Sequence, residues 1–480
     1  MHPRFTLDES QAFARLSGDF NPLHVDPVFA RRTQFGGSVV HGIHAFLKAV
    51  ESACGAALED ALPRVLSCTF SNPIRTGAGV SLTVAPADDG RSFRLSAATD
   101  GRPAFSATVE FGSAGAMPAA KAERTGASFE PAPPRGGGLP PLAHEGAVPV
   151  RLDDAALERL FPGFARCASR DWIADLLATT RVVGMECPGL HSIYSGFKLT
   201  RRDLTDARGG PATMRYVVTK SDPRFRLVRM EVAGAALEGT LEAFVRPAPV
   251  AQMALSDVAA HVAADAYRGQ RALVIGSSRG LGELTAKLLI AGGADVTLTY
   301  ASGHADAERI AREAEAAGRP CSIVRLDVTA PGDGGLARVQ AERAFTHVYY
   351  FASPQIARNP SAAWDGALFA RFCAYYVDGF AAVCRALLAT TPAGSPPPRF
   401  FFPSTVFLDA PEKGFAEYCA AKAAGEALCD YFARRHGAAF SRPRLPRMRT
   451  DQTSGLRDED SAAPLPVMNA LLPAFHAAGA

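Results

Sequence analysis

The sequence has almost no excess of either charge: 51 Lys and Arg stand against 48 Asp and Glu, a formal net charge of +3. Such a balance gives no bulk excess of cations that would point to nucleic acid or an anionic membrane surface. No apolar run approaches the ~20 residues that span a bilayer. The polar opening MHPRFTLDES does not read as a secretory leader. The nine cysteines (54, 68, 167, 187, 321, 373, 384, 419 and 429) form no C-x-x-C pair. That spacing argues against a structural zinc or a disulfide framework, and reduced thiols in a cytoplasmic protein are the expectation.

What is present is ordinary globular material, 48% hydrophobic over 480 residues, enough for about three domains. Two stretches break that texture. Residues 117–149 are rich in Pro, Gly and Ala and predict a linker, extended where the prolines cluster. A second break falls at residues 246–270, leaving segments 1–116, 150–248 and 268–480. The first two segments share an order of signals: an apolar helical stretch (HGIHAFLKAVESA; RDWIADLLATTRVVGM), then strand-like runs with turn punctuation. One helix wrapped by a long antiparallel sheet fits each, and two such units would pair as a pseudo-dimer.

The third segment alternates strands such as RALVIG and ADVTLTY with helices such as ELTAKLLIAGG, which predicts a doubly wound parallel sheet. Between its first strand and helix lies Gly276-Ser277-Ser278-Arg279-Gly280-Leu281-Gly282. Glycines there let the backbone approach a pyrophosphate, while the helix N-terminus offers N–H groups to the negative charge. Tyr418 and Lys422, four apart in a predicted helix, share one face. A phenol needs such a nearby cation to exchange protons near neutral pH. Near the N-terminus, Asp19 and His24 lie in a loop punctuated by Gly, Asn and Pro. Adding water across a carbon–carbon double bond needs one group to activate water and another to protonate the α-carbon, and a carboxylate with an imidazole supplies both.

The third segment resembles the short-chain dehydrogenase/reductase family, in its G-x3-G-x-G turn and its Y-x3-K pair. The resemblance implies that Tyr418 passes a proton to the carbonyl oxygen while Lys422 lowers its pKa and holds the ribose. A family serine orients the substrate carbonyl, commonly 13 residues before the Tyr; Ser404 stands 14 before and Thr405 13 before. Either hydroxyl could serve, and Ser404 is favoured. Asp327 and Val328 match the adenine contact, with a strand-end cap as the alternative, and Ala352 falls at the wall of the adenine ribose. The second strand ends in Thr299-Tyr300-Ala301-Ser302 with no acid, while Arg279 lies in the turn. A guanidinium there can pair with a 2′-phosphate, so the expected cofactor is NADP(H). Three departures bear on turnover: Tyr350-Phe351-Ala352-Ser353 replaces Asn-Asn-Ala-Gly, Tyr376 replaces the Asn that holds a relay water, and Pro446-Arg447 replaces Pro-Gly.

The first segment carries Ser17-Gly18-Asp19-Phe20-Asn21-Pro22-Leu23-His24-Val25-Asp26 and then Phe35-Gly36-Gly37 to His41-Gly42. It resembles the MaoC-like, R-specific enoyl thioester hydratases of hot-dog fold. That resemblance implies an acid–base dyad of Asp19 and His24, with Asn21 shaping the loop. The amides opening the His41-Gly42 helix would polarise the thioester carbonyl, and His41 itself reads as structural. The second segment has no such motif and looks like the silent half of a double hot dog.

The expected architecture is tandem hot-dog domains followed by a Rossmann-type parallel sheet. The expected activity is reduction of a 3-ketoacyl thioester with NADPH, then dehydration of the 3-hydroxyacyl product, on CoA or acyl carrier protein. Two alternatives stand: the oxidative direction, and a hydratase beside a degenerate nucleotide-binding domain. The expected assembly is a homo-oligomer through the reductase domain, with no nucleic acid or membrane partner and no metal.

Overall fold

The computed structural model describes residues 4–60, 63–87, 92–112, 127–166, 170–202, 213–356, 358, 359, 361, 363–451, 453 and 461–477. The expected domain end at 116 and residues 117–126 of the expected linker lie outside the described residues. The chain divides into two compact units, one of residues 1–248, the other of residues 249–454 and 458–480.

The first unit is one nine-stranded antiparallel sheet. Its strands are β1 (Pro63–Phe70), β2 (Val80–Pro86), β3 (Ser92–Thr99), β4 (Arg102–Phe111), β5 (Glu145–Pro149), β6 (Ser192–Arg201), β7 (Thr213–Asp222), β8 (Leu227–Ala233) and β9 (Leu237–Val245). They run in the order β2-β3-β4-β1-β6-β9-β8-β7-β5. Read outward from the central pair β1/β6, the two halves repeat one order, first-fourth-third-second, with β5 added at one edge. The central pair is antiparallel, with Val65 opposite Thr200 and Thr69 opposite Gly196. Each half lays one long helix on the sheet, Gly42–Asp60 and Arg170–Arg181. The second is buried at every position from Trp172 to Thr180, the burial of a helix surrounded by protein rather than lying on a surface. Phe46 of the first helix meets Phe197 of β6 edge-on at 5.2 Å, so the two halves share a core.

The segment expected to be a linker needs correction. Glu145–Pro149 is an edge strand paired with β7. Upstream, Phe129 is buried, its N–H donates to the Arg15 carbonyl at 2.8 Å, and the Arg181 guanidinium lies 4.3 Å from its ring. Arg135 N–H donates to Met185 O and its own carbonyl accepts from Leu190 N. Pro and Gly prevent a regular element here, as the composition indicates, yet backbone hydrogen bonds fasten this strap to the unit.

The second unit is built on a six-stranded, all-parallel sheet: β10 (Arg271–Ile275), β11 (Asp295–Tyr300), β12 (Ser322–Arg325), β13 (His347–Tyr350), β14 (Arg399–Phe401) and β16 (Phe440–Ser441). A separate small pair joins β15 (Ser404–Thr405) to β17 (Arg444–Leu445). The large sheet runs β12-β11-β10-β13-β14-β16, so the strand order reverses between β10 and β13. In open α/β sheets the crevice beyond the strand ends at that reversal is where ligands bind. One helical stretch, Gly366–Ala389, is long and apolar enough to cross a membrane by length and composition alone. Here its Phe372, Tyr376, Phe380, Val383 and Cys384 are buried in the core of this unit.

Candidate active sites

The first site is built where the helix Leu7–Ser17 stops. Thr6 and Glu9 form a capping box at its start, and Gly18, at φ +77°, ends it in the left-handed conformation. Gly18 is also hemmed in: a Cβ there would lie 2.8 Å from Arg181 Nη1. The chain therefore turns sharply and carries Asp19 inward, 1% exposed.

Asp19 Oδ1 accepts the Asn21 N–H at 3.1 Å, and Oδ2 accepts the Thr180 hydroxyl at 2.7 Å. Asn21 caps the short helix Pro22–Val25 through Leu23 N–H. Its amide nitrogen reaches the carbonyls of Gly184, Gly189 and Leu190 at 2.9, 3.3 and 3.3 Å. His24 Nδ1 lies 2.6 Å from Val39 O. That contact requires a proton on Nδ1, leaving Nε2 as the basic nitrogen. The His41 ring stacks on His24 at 3.9 Å, and its Nε2 lies 3.0 Å from Asp19 O. One polar atom from each of Asp19, His24 and His41 lies within 4.8 Å of the others. Both Asp19 oxygens accept protein hydrogen bonds, while His41 Nδ1 is buried with no hydrogen-bond partner among the described residues. His41, read from sequence as structural, thus touches both members of the pair.

Burial dominates the electrostatics. It raises the Asp19 pKa, against the opposing pull of His24, Thr180, Asn21 and Arg181. It lowers the His24 pKa, with the Arg246 cation acting in the same sense and Asp19 and the Val39 carbonyl opposing. The two values move toward each other, so a proton can pass between acid and base at small cost.

The second half is not silent at this site. Beyond Thr180, the π-helix Val182–Glu186 presents Gly184, where a Cβ would sit 2.2 Å from Asp19 Oδ1. Arg246, 1% exposed, donates from Nη2 to Leu190 O at 2.9 Å, the same carbonyl that Asn21 reaches. Its guanidinium carbon lies 5.4 Å from the Phe29 ring, while Nε and Nη1 are buried with no hydrogen-bond partner among the described residues. Sequence reasoning missed Thr180, Gly184 and Arg246, which carry no local motif. At the helix Gly42–Asp60, the first-turn N–H groups have no earlier helical carbonyl to bond. Gly42 itself is required because a Cβ would lie 2.8 Å from the Phe70 ring.

The second site opens at the β10 turn. Gly276 is at φ +76°, and a Cβ on it would stand 2.8 Å from Ala352 N. Ser277 is fixed through its hydroxyl and its N–H to Thr299 O, both at 3.0 Å. A Cβ on Gly282 would lie 2.2 Å from Gly276 O. These glycines bring turn, helix and the neighbouring strand end into a close cradle at the strand-order reversal, a shape that fits a dinucleotide. Ser278 is buried, and Leu281 and Ala352 are partly buried around it. Arg279 is engaged: its Nη1 pairs with the buried Asp451 at 2.8 Å. Asp327 Oδ1 accepts from Thr329 N–H and hydroxyl at 2.9 and 2.7 Å, the strand-end cap foreseen as the alternative to an adenine contact. Val328 is buried, with its carbonyl 2.8 Å from where a Gly379 Cβ would stand.

Tyr418 and Lys422 lie on one face of the helix Ala416–His436, 7% and 5% exposed. The choice of hydroxyl is corrected. Ser404 donates to Glu426 Oε1 at 2.5 Å, and Glu426 is clamped by Arg444 at 2.8 Å. Thr405 is the residue whose side chain opposes the burial-driven rise of the Tyr418 pKa, and its hydroxyl accepts the Phe407 N–H at 3.3 Å. Consecutive strand residues point to opposite faces, so only one of the two can meet the phenol. Burial pushes the Tyr418 pKa up, and it lowers that of Lys422 to about 7. Lys422 Nζ donates to Pro403 O at 2.7 Å.

Comparison with known proteins agrees with this division. Residues 3–102 match the MaoC like domain family, and residues 275–443 the family described as Enoyl-(Acyl carrier protein) reductase. An (R)-specific enoyl-CoA hydratase of Aeromonas caviae is 58% identical over 40 residues, 8% of this chain and 30% of that protein. A peroxisomal hydratase-dehydrogenase-epimerase of Neurospora crassa is 51% identical over 41 residues, 8% of this chain and 5% of that protein. The chain thus spans under a third of either relative. Among solved structures, the oxidoreductase YciK from E. coli is 18% identical, with 44% of this chain and 91% of that one covered at a TM-score of 0.40. A 3-oxoacyl (acyl-carrier-protein) reductase from Agrobacterium tumefaciens with NADP bound is 24% identical, with 39% and 73% covered at a TM-score of 0.35. In this chain a MaoC-like dehydratase domain of hot-dog type precedes a reductase domain of the short-chain dehydrogenase type.

Proposed function

We propose that the chain is a two-site enzyme that reduces a 3-ketoacyl thioester with NADPH and removes water from the resulting 3-hydroxyacyl thioester. The observation that carries the reading is the buried Asp19/His24 pair, with Asp19 held by Thr180 and His24 set as a base by Val39 O. In the hydration sense, His24 Nε2 takes a proton from water as the oxygen bonds to C3, and Asp19 gives its proton to C2. Dehydration is the reverse: the Asp19 carboxylate removes the C2 proton and the His24 imidazolium protonates the departing hydroxyl. The amides at the start of the Gly42–Asp60 helix receive charge developing on the thioester oxygen. Residues 1–248 act as a double hot dog, the second half buttressing the dyad through Thr180, Gly184 and Arg246.

At the second site, Gly276, Ser277, Ser278, Arg279, Gly280, Leu281 and Gly282 would hold the dinucleotide, with Asp327, Val328 and Ala352 along its adenosine side. A bound nicotinamide supplies hydride. Tyr418 gives its proton to the forming alkoxide, Thr405 orients the carbonyl, and Lys422 stabilises the tyrosinate and the ribose. The lack of an acid after β11 and the guanidinium of Arg279 support NADP(H) over NAD(H); a 2′-phosphate would share Arg279 with Asp451. The thioester is carried on CoA or acyl carrier protein, and the protein acts in the cytoplasm as a homo-oligomer through its reductase domain.

A second reading, a hydratase beside a nucleotide-binding domain that does not turn over, draws on Tyr376 in place of the relay Asn and on Lys422 bonded to Pro403 O. A screen of 3-ketoacyl thioesters on both carriers, with NADPH and with NADH, separates the two. NADPH oxidation supports the two-site enzyme, and its absence on both carriers leaves the hydratase alone.

A further inference from the structure

Lys422 enters the core of the reductase unit with no carboxylate bonded to it among the described residues; its Nζ donates to Pro403 O. What surrounds it is aromatic. Nζ lies 3.9 Å from the centroid of the Tyr376 ring, 4.8 Å from that of Phe402 and 5.9 Å from that of Tyr418. The Tyr376 and Tyr418 rings meet edge-to-face at 5.8 Å. The wall is closely fitted, since a Cβ at Gly425 would lie 2.4 Å from Phe402 Cζ. Glu426, the nearest acid on the same helix, is occupied by Ser404 and Arg444.

Tyr376 stands where the resemblance places an Asn, but it does not act through its polar atom toward Lys422. Its hydroxyl lies 2.6 Å from Ser353 Oγ, which donates to Pro354 O at 2.8 Å. The hydroxyl is thus turned to the β13 end and the ring face to the ammonium. The π-helix Ala374–Gly379 sets this orientation; such single-turn bulges recur at functional sites. An ammonium on an aromatic face is held by the ring quadrupole, most strongly where water is excluded.

We propose that Tyr376 is a positioning residue for the reductase site, holding Lys422 by its ring face in place of the amide-and-water arrangement. This rests on the nucleotide-binding reading of the second unit. The ring then matters and the hydroxyl does not. In the full-length protein, Tyr376→Phe should keep the NADPH dissociation constant and kcat within about threefold of wild type. Tyr376→Leu should weaken NADPH binding and lower kcat by about tenfold or more, in line with a desolvated cation–π contact. The proposal is overturned if Phe is as damaging as Leu, or if Leu leaves both quantities unchanged. If the Leu variant does not fold, the wild-type NMR spectrum decides. The Lys422 ε-methylene protons, assigned through Lys422→Arg, should lie upfield of every other lysine, and an ordinary shift overturns the proposal. If wild type binds neither NADPH nor NADH, the nucleotide reading fails, and the same spectrum still judges the contact.

Discussion

Thr180 gives its hydroxyl to Oδ2 of Asp19 at 2.7 Å, from the opposite half of the first unit, 161 residues away. The carboxylate on the motif-bearing loop is therefore held by the half that carries no motif. Thr180→Val removes a hydrogen bond to an ionisable buried group, worth about 1–3 kcal/mol. Hydration of crotonyl-CoA should fall roughly tenfold to hundredfold in kcat with little change in KM, measured by loss of the enoyl absorbance. An unchanged kcat would remove Thr180 from the site.

Gly184 tests the same junction sterically. A Cβ there would intrude to 2.2 Å from Asp19 Oδ1, so Gly184→Ala must push the carboxylate or the π-helix aside. A misplacement of about 1 Å costs on the order of a hundredfold in rate. Hydratase activity should fall by that much while the unfolding midpoint of the first unit and NADPH binding in the second are retained, which excludes unfolding as the cause.

Arg246 lowers the pKa of His24. Replacing it with Met removes a cation near the imidazole, so the His24 pKa must rise. In the hydration direction the neutral imidazole is the active form. The acid limb of the kcat/KM profile should therefore move to higher pH in Arg246→Met. A shift to lower pH, or none, contradicts the electrostatic role.

Thr405 and Ser404 are neighbours with opposed expectations. Thr405→Ala should lower ketoreduction by about a hundredfold or more, the usual scale for a positioned proton-transfer partner. Ser404→Ala should act mainly on stability, by loosening Glu426 and Arg444. The reverse pattern in a paired kinetic and thermal-unfolding comparison would restore Ser404.

His44 has both ring nitrogens buried with no hydrogen-bond partner among the described residues and stacks on Phe13 at 4.7 Å. Burial lowers its pKa to about 3. A folded-state pKa below the unfolded value of about 6.5 means stability is full above pH 6.5 and is lost as pH falls toward 3. His44→Phe removes the orphaned nitrogens. It should raise the unfolding midpoint and flatten its fall across that acid window, measured by denaturant titration at several pH values.

Much of this architecture was legible in local pattern. The Gly276–Gly282 turn, the Asp19–His24 loop and the Tyr418/Lys422 spacing are short-range signals, because each is set by one backbone turn or one helix face. The shared helix-then-strands order of the first two segments likewise reappears as the repeated strand order on either side of β1/β6. Other features were beyond reach. Whether Ser404 or Thr405 meets Tyr418 depends on the face each takes in a two-residue strand. That Arg279 pairs with Asp451, 172 residues on, depends on the return of the chain after β17. Residues 117–149 read as linker because Pro and Gly disfavour regular elements, while the carbonyls that anchor Phe129 and Arg135 belong to Arg15 and Met185, and the strand Glu145–Pro149 takes its partner from β7, none of which composition reveals.

The central claim, two consecutive chemistries on one chain, is tested most directly by following the products from acetoacetyl thioester and NADPH by mass spectrometry. Wild type should give a 3-hydroxybutyryl and crotonyl mixture. Asp19→Ala should stop at the 3-hydroxybutyryl thioester, and Tyr418→Phe should give neither while still hydrating crotonyl thioester. Crotonyl product from Asp19→Ala at the wild-type rate, or no reduction by wild type on either CoA or acyl carrier protein, would contradict it.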